Sequence, residues 1–137
     1  MARILGIDFG FKRTGLAVTD PLNMFAQPLE TIATNTFPDW LKKYQSAEMI
    51  QTFVVGLPTQ LDGSDTDATQ AVKDFIDWLK GNYPNIPVET IDERFSSHEA
   101  QHHIIQSVAK KDKRREKGLV DTVAATLILQ TYLQKNA

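Results

Sequence analysis

Residues 3–20 read RILGIDFGFKRTGLAVTD. The first part, RILGIDF (3–9), is apolar and partly β-branched, and it stops at Gly10. The last part, TGLAVTD (14–20), repeats that character and stops at Pro21. Only GFKR separates them, which predicts two strands joined as a hairpin. Outward from it, AQPLETIA (26–33) alternates weakly and carries Pro28, which suits a third strand at a sheet edge. FPDWLKKYQSAEMI (37–50) opens on Pro38 and spaces Trp40, Leu41, Tyr44 and Ala47 as a helix does. QTFVVGLP (51–58) is a short continuous apolar strand, and TQLDGSD (59–65) is turn chemistry. TDATQAVKDFIDWLKGN (66–82) sets Ala68, Val72, Phe75, Ile76 and Leu79 on one helical stripe that should stop at Gly81. IPVETIDE (86–93) reads as a fifth strand, SSHEAQHHIIQSV (96–108) as a helix, and LVDTVAATLILQTYLQK (119–135) as the last helix. The stretch between those helices, 109–118, has no apolar period. Three strands in a row and then alternating helix and strand predict a mixed sheet, with a meander on one side and parallel crossovers on the other. There is no internal repeat or linker, so residues 1–137 are expected to form one domain.

Composition narrows the function classes. The chain has no cysteine, which excludes disulfides, cysteine zinc sites and a cysteine nucleophile. The opening apolar run is short and broken by Asp8, and no run is long enough to span a membrane, so a cytoplasmic protein without leader or anchor is expected. The net charge of −2 gives no bulk attraction to nucleic acid, and any such binding has to come from local patches. Nothing in the sequence sets an oligomeric state.

HEAQH (98–102) spells the H-E-x-x-H signature of zinc peptidases. His98 and His102 would share a helix face, but catalytic zinc takes three protein ligands and leaves one position open. His103, the one other histidine, would face away from the pair, and Glu116 lies in a charged segment. The signature is therefore read as an ordinary polar helix.

Carboxylates at element ends are the stronger signal. Asp8 interrupts the apolar first strand between Gly6 and Gly10, and an unpaired buried carboxylate is costly unless it has a partner, a metal or water. The two glycines should let a metal or phosphate approach the backbone. Asp92 and Glu93 end the fifth strand, and alternation forbids both from facing one side of a regular strand, which leaves open which one acts. Asp121 falls in the first turn of the last predicted helix, where it would at least complement the dipole. Three such sites on separate elements suit a carboxylate cluster that holds divalent metal for phosphoryl transfer.

Four stretches in order carry a resemblance: GIDFGFKRTGLAVTD (6–20), VVGLPTQLDGS (54–64), DERFSSHEA (92–100) and KGLVDTVAATLIL (117–129). They resemble the successive motifs of the YqgF/RuvX family, nucleases similar to Holliday junction resolvases that are also assigned to maturation of the 5′ end of 16S rRNA. The resemblance spans nearly the whole chain. It implies a ribonuclease-H-like α/β fold with a five-stranded mixed sheet flanked by helices. It also implies phosphodiester hydrolysis dependent on Mg²⁺ or Mn²⁺. By position, Asp8 is the first-strand acid, Asp92 and Glu93 supply the second, and Asp121 is the last-helix acid. FSS (95–97) replaces the aliphatic residue and two threonines more usual in the family, and keeps the hydroxyls.

The remaining charges suit a nucleic-acid partner, either pre-rRNA within ribosomal precursor particles or branched DNA. Lys12 and Arg13 lie at the hairpin beside Asp8, where they could hold phosphates. Arg94 follows the acidic pair. Lys110, Lys111, Lys113, Arg114 and Arg115 belong to a run with a local charge of +4 over 110–117, which would make binding salt-dependent. Gly56 and Gly63 should allow a tight approach at the site's rim. Two other classes stay open at this point. The first hairpin also resembles the phosphate-binding hairpin of actin and sugar kinases, and the protein could hold RNA without cutting it.

Overall fold

The computed structural model describes residues 2–58, 67–93 and 117–136, with side chains in the last stretch described from Thr122 onward. Five strands form one sheet: β1 (Arg3–Asp8), β2 (Arg13–Thr19), β3 (Ala26–Ala33), β4 (Ile50–Leu57) and β5 (Val88–Asp92). Their order across the sheet is β3-β2-β1-β4-β5. The pairs β1–β2 and β2–β3 are antiparallel, whereas β1–β4 and β4–β5 are parallel. This is the mixed sheet that the order of elements predicts. β3 is an edge strand, as Pro28 suggests, and its register shifts where Pro28 pairs with Ala17.

Helices cover both faces. α1 (Phe37–Ala47) and α2 (Asp67–Asn82) lie on one, α3 (Lys117–Lys135) on the other. Strand alternation explains the sorting. Leu5, Ile7, Phe53 and Val55 pack with Phe37, Leu41, Val72 and Leu79, while their neighbours Ile4 and Val54 pack with Ala125, Ile128 and Leu129. Burial on both faces is why β4 reads as a continuous apolar run.

Several expected boundaries move. α1 stops at Ala47, three residues before the expected end, because Glu48 turns extended and the buried Ile50 pairs with Arg3 to start β4. Gly81 does not terminate α2. It sits inside the helix, which runs to Asn82, and Pro84 ends it just beyond. The buried stripe of α2 uses Thr69 in place of Ala68. β5 is shorter than expected and leaves Ile86, Pro87 and Glu93 outside. α3 starts at Lys117, two residues early, so Asp121 lies in the second turn and is no longer placed to complement the dipole. The helix expected at 96–108 lies outside the described residues.

Gly6 corrects an expectation. It does not leave room for a ligand: an added Cβ would lie 2.8 Å from the Leu129 Cβ and 3.1 Å from the Ala125 carbonyl oxygen. Both atoms belong to the rigid part of α3, so Gly6 is where the helix presses onto the sheet. Gly6→Ala is expected to push α3 outward and cost about 1–3 kcal/mol. In a thermal melt that is a Tm lower by about 4–12 °C.

Candidate active site

Parallel pairing brings the C-terminal ends of β1, β4 and β5 out along one edge. Ligands in α/β proteins bind at such edges. β1 ends at Asp8, which is half-buried and pairs with Gly15. β5 ends at Asp92, opposite Leu57. Glu93 follows directly and shares a side-chain hydrogen bond with Asp8, across the intervening strand β4.

Gly56 makes that reach possible. It is buried in β4 opposite Ile91, and a Cβ there would lie 2.9 Å from Glu93 Oε1 and 2.4 Å from Ile128 Cδ1. The missing side chain is the notch through which Glu93 crosses the sheet. One signal of it lies in the sequence: a glycine inside a β-branched central strand marks a close approach. Gly56→Ala should displace the carboxylate and lower kcat about 10- to 100-fold, with a stability loss of about 1–2 kcal/mol because the Ile128 tip can turn aside. Cleavage rate and Tm measured together check this split.

Of the two adjacent acids, the structure thus brings Glu93 to Asp8. Ile91 packs against α3, and strand alternation sends Glu93 toward the same face. Asp92 lies beside the pair and lines a cleft of about 400 Å³ with Thr131, Gln134 and Lys135. Burial raises the Glu93 carboxyl above its ordinary range, the negative charge of Asp92 raises it further, and the hydrogen bond with Asp8 works the other way. Two carboxylates cannot bond each other without a proton between them, so the pair is held together by a proton or a cation.

Asp121 occupies α3, but its side chain lies outside the described residues. The next residue, Thr122, hydrogen-bonds Thr31. Thr31 pairs with Gly15, and Gly15 with Asp8, so this part of α3 lies along the row that contains Asp8. Among the described residues no three acids or histidines form a metal-holding group.

Lys12 in the β1–β2 turn and Arg13 at the start of β2 are exposed at the same edge. Gly10 serves that turn and not a ligand, since a Cβ there would lie 2.4 Å from the Arg13 carbonyl oxygen. Arg94, Lys110, Lys111, Lys113, Arg114, Arg115, Gly63 and the two histidines of HEAQH fall outside the described residues.

The sequence profile of RuvX, described as Holliday junction resolvase, matches residues 2–135. The chain belongs to the RuvX family. Its relatives include two proteins named "Putative pre-16S rRNA nuclease". One, from Porphyromonas gingivalis, is 45% identical over 97% of this chain and 96% of its own length. The other, from Flavobacterium psychrophilum, is 40% identical over 98% of both. Among solved structures, RuvC from T. thermophilus in complex with Holliday junction substrate superposes with a TM-score of 0.62 at 15% identity, over 100% of this chain and 98% of that one. That likeness establishes the ribonuclease-H-like fold for this RuvX chain. Among the described residues no helix is long and apolar enough to cross a membrane.

Proposed function

We infer that this chain is a metal-dependent endonuclease that processes the 5′ end of pre-16S rRNA, with Asp8, Glu93, Asp92 and Asp121 as its acids. The observation that carries the reading is the Asp8–Glu93 contact through the Gly56 notch, at the sheet edge where a substrate would arrive. The names of the relatives supply the substrate. The donor set is all oxygen and anionic, and it holds a carboxyl whose charge is unfavourable in place, which suits Mg²⁺ or Mn²⁺. Asp8 and Glu93 would hold the cation, with Asp121 joining from α3 and Asp92 beside them. Such a cation supplies Lewis acidity toward the phosphate and neutralises charge that builds up in the transition state. The chain's own part is placement. Gly56 fixes the Glu93 carboxylate, and Lys12 and Arg13 hold the phosphate backbone beside it. The site would act in the cytoplasm on precursor particles.

The test offers pre-16S rRNA, single-stranded RNA and four-way DNA junctions side by side, in Mg²⁺ and in Mn²⁺. Specific cutting of the rRNA precursor upholds the proposal. Preferential cutting of the junction would make the chain a resolvase, and binding of RNA without cutting by any metal would make it a binding module.

The basic run contributes binding and not chemistry. Neutralising Lys113, Arg114 and Arg115 together should lower the slope of log K against log salt by about 2 for a single-stranded substrate. The cleavage rate at saturating substrate should change far less. Binding titrations at several salt concentrations measure the slope.

A further inference from the structure

The end of β1 serves both faces of the sheet. Asp8 meets Glu93, while the next residue, Phe9, packs with the opposite core and stacks on Phe75 at 4.6 Å and 27°. Phe9 and Phe75, with Phe37, Trp78 and Phe11, line a groove of about 430 Å³. Four of these aromatics are anchored in the core, but Phe11 is 69% exposed at the mouth. We propose that this groove receives an unpaired nucleobase flanking the scissile phosphate, with Phe11 as its outer stacking wall. The proposal rests on the nuclease reading above.

Three features favour a base over another apolar guest. The first is charge. Lys12 and Arg13 follow Phe11 directly and are exposed, so an aromatic wall and two cations stand side by side from the turn into the start of β2. That combination fits a nucleotide, with the base on the ring and the phosphate on the cations. The second is orientation. Asp74 lines the groove, where its carboxylate accepts hydrogen bonds from base N–H groups and repels phosphate, which sends the phosphate back toward Lys12 and Arg13. The third is rigidity. The Thr34 N–H bonds the Lys12 carbonyl at 3.0 Å, and its hydroxyl bonds the Gly10 carbonyl at 2.6 Å. The turn holding Phe11 is therefore fixed before any ligand arrives, and little ordering cost remains for binding. The groove's size is that of a small-ligand cleft. Since Phe9 follows Asp8 in the chain, the groove and the acids lie at the same end of β1 on opposite faces of the sheet, where one strand passing over that end would meet both.

The test uses the full chain in EDTA, so that nothing is cut. The probes are a short single-stranded RNA carrying 2-aminopurine and a blunt duplex of the same sequence. Wild-type protein should change the 2-aminopurine fluorescence of the single strand by stacking. Phe11→Ala should lose that signal and bind the single strand about 5- to 100-fold more weakly. Its affinity for the duplex should stay within about twofold, and Phe11→Trp should restore both signal and affinity. Melting curves confirm that both variants are folded, which the exposure of Phe11 makes the expected result. A Phe11→Ala protein that binds and stacks like wild type would overturn the proposal and leave the groove to an apolar side chain of a protein. Equal weakening toward duplex and single strand would also overturn it. The nuclease reading fails separately: wild type that stacks the probe yet cuts nothing in Mg²⁺ or Mn²⁺ keeps the base site and sinks the nuclease.

Discussion

Asp8→Asn is expected to lose at least about a thousandfold in metal-dependent cleavage while staying folded. Asparagine keeps the shape of the side chain and one acceptor oxygen. Its amide can also donate to the Glu93 carboxylate, so the contact across Gly56 survives and β1 has no reason to move. What disappears is the negative charge that attracts a divalent cation. Charge neutralisation and Lewis acidity then fall together, which is why the loss should reach several orders of magnitude. Single-turnover cleavage, a circular dichroism spectrum and a melting curve on one preparation are enough. RNA binding in EDTA should hold or tighten, because a negative group has left a cleft that takes phosphates. A folded Asp8→Asn protein that cuts at near wild-type rate in Mg²⁺ would end the carboxylate-cluster mechanism.

Glu93→Gln should lose activity on the same scale, yet it should make the metal-free protein more stable at neutral pH. The sign follows from the direction of the shift. Burial and Asp92 raise the folded-state pKa of Glu93 above its ordinary 4.5. The stability this group contributes is therefore complete below its unfolded pKa, and it is lost as pH rises through the raised folded value. That loss is under way at neutral pH, which lies above the ordinary glutamate range. Glutamine never ionises and still donates a hydrogen bond to Asp8. The gap in Tm between variant and wild type should open as pH climbs past the ordinary glutamate range, then level off at about 2–5 °C. Saturating Mg²⁺ should reverse the order, because a cation that binds the folded state stabilises only the protein that holds it well. Parallel Tm–pH curves for the two proteins in EDTA would refute this assignment of the buried charge.

The sheet was legible in the sequence because its signals are local. The two apolar runs of β1 and β2 with only GFKR between them forced a hairpin, Pro28 marked an edge, and consecutive apolar residues in β4 required cover on both faces. Boundaries set by distant partners were not legible. Ile50 looks like the last turn of α1 until pairing with Arg3 takes it into β4. Of the site, the acids at the strand ends were visible as carboxylates in costly places. Whether Asp92 or Glu93 reaches Asp8 was not, since alternation says that one must but not which. Gly6 and Gly10 show why: a glycine says that a side chain would not fit, and only the fold says what fills its place. At Gly6 that is α3, at Gly10 a turn carbonyl, and at Gly56 the Ile128 tip together with a carboxylate. The family motifs pointed to the acids of the proposed cluster, but not to the aromatic groove behind them.

The order of strands has a consequence for a chain still being made. Asp8 and Gly56 lie on neighbouring inner strands, but Glu93 arrives just after β5, an outer strand that pairs with β4 alone. Synthesis runs from the N-terminus, and domains fold as units. A ribosome therefore releases β1, β2, β3 and β4 while the acid that must cross the notch is still to come. Until β5 zips onto β4, Asp8 lacks its contact with Glu93, so on the proposed mechanism the acid pair assembles only in the last part of synthesis.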